Sequence, residues 1–599
     1  MVNLRNNPTV SILLTASRQF YIQQCKYHAS SNKGSYLHHV GKNPMLYKTI
    51  GDLVDEAAKR YPDRNAYVLC EENKRITFKE LKEQTDNLAA GLLTLGFKKE
   101  DKVALWGPNT LDWLISFFAT AKIGVISVLM NPVYQIPELK YSLKKAHVSG
   151  IITPKSFRAH NYFEMINELF PNLKNSSKED LESFTSQSLP RVILSSENKL
   201  HGAFQFKNIL EVGNTCKLEI LNTARDKVSP DDGFCIQFSS GTTGKPKAAL
   251  LSHNNYVNNS YPVTERLELY DEHHKICLQS PFFHVLATDV IICPALFSGS
   301  TVVVPSKSYN PLKTLKTIET EKCTYLNGTP TMFVDVIKLQ KEHNFDLSSL
   351  KYTITGGAPC PPVLFQDKLK TLQVKKVKSI YGMTETTAVV FQSLPNESKM
   401  CATETVGHLA DHVEAKVVDE NGKLVPFGKP GELHIRGNCA MLEYYDDEEK
   451  TKETKGRDGW IKTGDQFVLY ESGYGQIVGR LKDMIIRGGE NIFPKEIEDF
   501  LNTHPKIVDS QVFGVPDERM GEEIMVCLRV IENSTITLNE IESYSVGKLA
   551  KFKIPKYLRI VEDYPRTLSG KVQKHKLREM IVKEFNEELH LKSSVASGL

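Results

Sequence analysis

The stretch Phe238-Ser239-Ser240-Gly241-Thr242-Thr243-Gly244-Lys245-Pro246-Lys247 constrains this chain more than any other. It follows directly on the apolar run Gly233-Phe234-Cys235-Ile236-Gln237-Phe238. Gly241 and Gly244 let backbone N–H groups approach phosphate oxygens, the hydroxyls donate hydrogen bonds, and the two lysines neutralise charge. This is the composition of a loop that wraps a polyphosphate. It is not the phosphate loop of kinases or GTPases, which needs a Ser or Thr after Gly-Lys to hold magnesium. Here Pro246 follows Lys245, and only Thr242 and Thr243 separate the glycines. A polar turn between strands is the competing reading for any short Ser/Thr/Gly run.

Around this loop, from about Tyr47 to Ile477, helical patterns alternate with short β-branched runs. Leu81–Leu95 reads as an amphipathic helix that stops at Gly96. Lys102–Trp106, Thr301–Val304 and Lys351–Thr355 read as strands that run into turn residues. The alternation predicts an α/β body with mostly parallel sheets. Asn172–Ser188 is polar and reads as an exposed excursion. Near Gly479-Arg480-Leu481-Lys482-Asp483 the text turns charged, and a compact region of about a hundred residues follows. The expected division is a leader over 1–45, a large domain over 46–481, a small mobile α+β domain over 482–585, and a polar tail over 586–599.

At 599 residues the chain exceeds one ordinary domain. Residues 1–51 carry six basic residues and no Asp or Glu, leaving 69 basic against 71 acidic residues in the rest. The body is near neutral, so its net charge gives no reason to expect a nucleic-acid partner. The acid-free, Arg-bearing, Ser-rich start has the profile of a mitochondrial transit peptide, which predicts a matrix protein. Eleven cysteines without a Cys-x-x-Cys pair suggest buried thiols in a reducing compartment. The most apolar window, 111–130, is broken by Asp112 and Lys122, so no transmembrane helix is expected. Nothing in the sequence bears on oligomeric state.

The loop resembles the phosphate-binding signature of the adenylate-forming superfamily, which unites acyl-CoA synthetases, peptide-synthetase adenylation domains and beetle luciferases. Further strings match that family in the same order. Pro281-Phe282-Phe283-His284 resembles the segment beside its acyl pocket, which would put His284 against the substrate carboxylate or at the gate of the tunnel; a partly buried structural histidine is the competing reading. Gly356-Gly357-Ala358-Pro359 resembles the turn against adenine, where a side chain on Gly357 would obstruct close approach. In Ser379-Ile380-Tyr381-Gly382-Met383-Thr384-Glu385-Thr386 the resemblance implies that Tyr381 stacks on adenine and that Thr384 bonds the α-phosphate or carboxylate. Glu385 is a hard oxygen ligand suited to Mg2+. Asp465, closing Gly459-Trp460-Ile461-Lys462-Thr463-Gly464-Asp465, suits two ribose hydroxyls, with Arg480 on the ribose or phosphate side. Arg566-Thr567-Leu568-Ser569-Gly570-Lys571 supplies the lysine that, in the family, bridges carboxylate and α-phosphate.

The resemblance implies a two-step ligase. A carboxylate, already ionised at neutral pH, attacks the α-phosphate of ATP and releases pyrophosphate. The thiol of CoA then displaces AMP. The family serves both steps by swinging its small domain. Lys482 occupies the hinge position, and Gly489, after Gly488, the place where the pantetheine arm passes. The nearest group is that of acyl-CoA synthetase family member 2, which implies a medium-chain fatty acid. A luciferase-like, aryl- or malonyl-CoA ligase would use the same motifs. One departure stands out: the family usually has Gly where this chain has Ala248. A backbone needing positive φ there would be disfavoured, and this residue alone supports a nucleotide-binding protein without turnover.

Overall fold

The computed structural model describes residues 33–584 except 176–189, 216–217, 240–245, 359, 361, 488–489, 518, 547, 550 and 569. Most of the leader, most of the 172–188 excursion and the tail therefore lie outside the described residues. So do Ser240, Gly241, Thr242, Thr243, Gly244, Lys245, Gly488 and Gly489.

Among the described residues, two large sheets organise the body. The first has eight strands, with Gly150–Pro154, Lys102–Trp106, Ile126–Met130 and Gly233–Ser239 running parallel at its centre. The second has nine, with Tyr352–Thr355, Tyr325–Gly328, Lys275–Leu278, Thr301–Val304 and Asn65–Leu69 parallel in its middle. One continuous core joins them. It takes Val103 and Leu105 from the first sheet, Ile276 and Val302 from the second, and Leu88, Phe117 and Tyr256 from helices between. Strands buried on both faces read as unbroken apolar runs, which is why Thr301–Val304 was legible.

The helices begin and end where their residues dictate. In Phe78–Thr94, Thr77 accepts from the Glu80 N–H while the Glu80 carboxylate accepts from the Thr77 N–H, a reciprocal cap. Gly96 takes a φ of 81° just past its end. The apolar window at 111 is a helix, Leu111–Lys122, followed by the strand Ile126–Met130. Its Lys122 is buried between the carboxylates of Asp55 and Asp86. No described helix is long and apolar enough to cross a membrane.

A third, antiparallel sheet packs Val413–Val418, Pro430–Gly437, Ile461–Leu469 and Gly475–Arg480 in order. At its edge lies Tyr36–His39, with Tyr36 opposite Lys416 and Leu37 packed on the sheet's core. This corrects the leader boundary at 45: four residues inside it are a strand of the body. After the short turn Leu481–Asp483 a separate five-stranded sheet begins, centred on Ile507–Asp517 and Gly521–Val530 and covered on its two faces by distinct apolar clusters. Among the described residues eight cysteines are thiols. Cys401 is disulfide-bonded, so the all-thiol expectation does not extend to it.

Candidate active site

The strand Gly233–Ser239 pairs with Lys247–Ser252, so the hairpin between them opens at the end of the first sheet. Ser239, Pro246, Lys247, His284, Gly357, Ala358, Tyr381, Gly382, Thr384, Glu385, Asp465, Arg480, Lys482 and Lys571 all line one cleft of about 2510 Å³ between the body and the small domain. Every proposed site residue among those described is thus brought together. Ala248 lies inside the second hairpin strand, buried, paired with Phe238 and outside the positive-φ residues. A methyl fits this backbone, so the doubt it raised falls away.

Glu385 is fixed from two sides. Ser239 Oγ donates to its Oε1 at 2.7 Å, and Tyr444 Oη donates to the same oxygen at 2.8 Å. The turn that carries it is strained. Thr387 and Ala388 both have positive φ, and a Cβ on Gly382 would stand 2.1 Å from the Ala388 carbonyl oxygen. Such a turn persists only where its surroundings over-determine it. Here Thr387 Oγ1 donates to the Cys439 carbonyl and the Met441 N–H donates to the Glu385 carbonyl. Glu385 is a single carboxylate, and no cluster of three metal-ligating side chains occurs among the described residues. That donor set fits a magnesium ion that keeps its waters and phosphate contacts, not a protein-caged metal.

Asp465 sits opposite Arg480 across neighbouring strands. Tyr381 Oη donates to its Oδ2 at 2.6 Å. Arg480 Nε lies 2.7 Å from Oδ1, yet its N–H is not aimed at that oxygen, which is left without a hydrogen bond. Burial raises the Asp465 carboxyl, while Arg480 and Tyr381 pull the other way. A buried acceptor missing its donor suits a ribose hydroxyl.

Lys571 enters from the small domain. A Cβ on Gly357 would stand 3.3 Å from its Cε, so the glycine makes room for the lysine. Burial pulls the ammonium down to about 8, Arg480 adds to this, and Glu385 and Asp465 oppose it. Across the cleft His284 is held near 3 by burial and the Lys571 charge. It is therefore neutral, and since its Nδ1 accepts from the Leu286 N–H, its Nε2 carries the proton. Gly570, at φ 80°, lets the same loop meet Thr329, whose buried Oγ1 has no hydrogen bond.

The profile of the AMP-binding enzyme family matches residues 54–445, and that of the AMP-binding enzyme C-terminal domain matches 496–571. The chain belongs to the AMP-binding enzyme family. Its curated relatives include "Medium-chain acyl-CoA ligase ACSF2, mitochondrial" from Danio rerio, 42% identical over 92% of this chain and 91% of the relative. The human protein of that name is 40% identical over 92% and 90%. Among solved structures, ATP-bound MatB from Rhodopseudomonas palustris aligns with a TM-score of 0.73 at 26% identity, covering 89% of this chain and 99% of that one. The anthranilate CoA ligase AuaEII with anthranoyl-AMP shares the fold, with a TM-score of 0.76 at 23% identity over 90% and 98% of the two chains.

Sequence reasoning missed Tyr444 in this cleft, and Thr329, Gln237, Tyr256 and Thr288 packed around it. Tyr444 reaches Glu385 because the short strand Glu443–Tyr444 pairs with Ala249 and Leu250. Thr329 lies under the Lys571 loop. Behind His284, Gln237 Nε2 donates to Tyr256 Oη at 3.0 Å, and Tyr256 in turn meets Thr288 Oγ1 at 3.0 Å. None of these carries a local signal; each is defined by a partner distant in sequence.

Proposed function

We propose that this chain activates a medium-chain fatty acid with ATP in the mitochondrion and passes the acyl group to CoA. The chain is an AMP-forming acid–thiol ligase with ATP and CoA as substrates. The medium-chain acid and the mitochondrial address rest on relatives named for both and on the basic, acid-free start of the sequence. The observation that carries the reading is Lys571, delivered by the small domain between Gly357, Arg480, Glu385 and Asp465.

The reaction follows from these positions. Asp465 and Tyr381 hold the ribose and adenine end. Lys247 and Ser239 flank the phosphates, and Thr384 lies where the carboxylate meets the α-phosphate. Neutral His284 offers its Nε2 proton to a carboxylate oxygen. No general base is required, so catalysis is positioning plus charge stabilisation, with the Lys571 ammonium facing the charge that develops as pyrophosphate leaves. Magnesium, held through Glu385, would add positive charge beside the phosphates. For the second step the small domain turns about Lys482, withdrawing Lys571 and presenting Gly488-Gly489 to the pantetheine arm.

Carboxylate-dependent exchange of labelled pyrophosphate into ATP tests this, with acids from acetate to palmitate plus malonate, benzoate and luciferin. Exchange should peak with medium-chain acids and vanish without acid. A maximum with malonate, benzoate or luciferin would replace the substrate class. No exchange with any acid, despite ATP binding, would overturn the reading.

A further inference from the structure

One nucleophile in the cleft has no part in adenylation. Cys360 lines the cleft three residues beyond Gly357, hence within about 11 Å of it along the chain. Lys368 Nζ lies 3.6 Å from its sulfur. Lys368 is fully buried, and its ammonium rests on the ring face of Phe333, 3.8 Å from the ring centre. Among the described residues no carboxylate pairs with it. Desolvation pulls its pKa down and the neighbouring sulfur pulls it up. A lysine serving only as core would place its head in water or against an acid; this one is aimed at a thiol. Cys360 also stands just ahead of the helix Pro362–Thr371, whose dipole carries partial positive charge at that end although Pro361 and Pro362 supply no N–H. A buried ammonium, a helix N-terminus and partial exposure to a cleft are the surroundings that make a cysteine reactive.

We propose that Cys360 is a thiol-modification site, activated by Lys368, at which a small-molecule disulfide of the glutathione type forms a mixed disulfide that closes the nucleotide end of the cleft. The Cys360 thiol loses its proton to cleft water, and the Lys368 ammonium, donating to the sulfur, stabilises the thiolate. The thiolate attacks one sulfur of the disulfide, a new S–S bond forms, and the old one breaks. The departing thiolate takes up the proton that Cys360 gave to water, so one thiol is consumed and one released, with no net oxidation. The adduct, anionic and bulky, would lie beside Gly357 and Ala358. The loss of turnover rests on reading this cleft as the ATP site; the rate of modification does not.

The test uses full-length enzyme, oxidised glutathione, and mass spectrometry of each cysteine alongside pyrophosphate exchange. Cys360 should form the mixed disulfide at least about tenfold faster than half-buried Cys70. Exchange should fall in step, ATP should slow both, and dithiothreitol should restore activity. Cys360→Ala should keep exchange and lose sensitivity. Lys368→Met should keep exchange but slow modification about tenfold, and Lys368→Arg should rescue the rate. Modification of Cys360 no faster than of Cys70, or an unchanged rate in Lys368→Met, would overturn the proposal. Fast modification in a protein without exchange activity would instead break the functional reading and leave the thiol site standing.

Discussion

The nucleotide end of the cleft and the lysine loop that closes over it are built on opposite principles. On the body, Glu385 is held by Ser239 and Tyr444, and Asp465 by Tyr381 and Arg480. Each functional carboxylate has its geometry set before substrate arrives. On the small domain, the Lys571 backbone is tied to Thr567 Oγ1, but its ammonium makes no hydrogen bond among the described residues and is placed only by burial and by neighbouring charges. In the proposed reading the body binds and the loop supplies a charge that can be taken away. That contrast is what a two-step enzyme needs, because a lysine locked to the body could not leave for the second step.

The sharpest way to break the comparison is Lys571→Ala. Pyrophosphate exchange should drop at least about a hundredfold, the scale of losing one transition-state charge partner. Thioesterification of a supplied acyl-adenylate should stay near the parent rate, and equal loss of both steps would sink the removable-charge idea. The same lysine gives a pH signature. It is protonated below about 8, so adenylation should decline as pH rises through that value, and Lys571→Arg should move the decline upward. On the body side, Asp465→Ala should raise the KM for ATP about ten- to a hundredfold, the worth of a hydrogen bond to a charged group, with little change in the KM for acid. Tyr444→Phe leaves Ser239 in place and should cost about two- to tenfold in exchange. Ala248→Gly should be smallest. Exchange should change less than about twofold, while thermal unfolding should show a cost of about 0.5–1 kcal/mol for glycine in a strand.

Legibility in the sequence follows the same division. The residues proposed to touch substrate stand in local strings such as Tyr381-Gly382-Met383-Thr384-Glu385, because one turn or one strand end presents them together. The strands Lys102–Trp106 and Thr301–Val304 were legible for a similar reason: their burial is continuous. What could not be read depends on pairing across the chain. Tyr36–His39 is a short polar edge strand whose partner lies more than 370 residues away. Its pattern alone resembles a tail. Tyr444 is an unremarkable tyrosine until Glu443–Tyr444 adds to the sheet beside Ala249. Ala248 misled in the other direction, since a family habit of glycine does not reveal whether the backbone requires positive φ.

Gly570 gives the docked loop one more property. Where it meets Thr329 it offers no side chain, and a Cβ there would stand 2.8 Å from the threonine oxygen. At this point the loop has no side chain to unlatch from Thr329, while Arg566 of the same loop faces the charge of Asp335 on the body. What holds the loop down is then largely electrical. While negative charge crowds the cleft, the ammonium is anchored; once pyrophosphate has departed, the anchor weakens at the moment the next step needs the space. If Lys571 withdraws as proposed, the chemistry acts as its own clock, with release of the first product setting the time at which the second half begins.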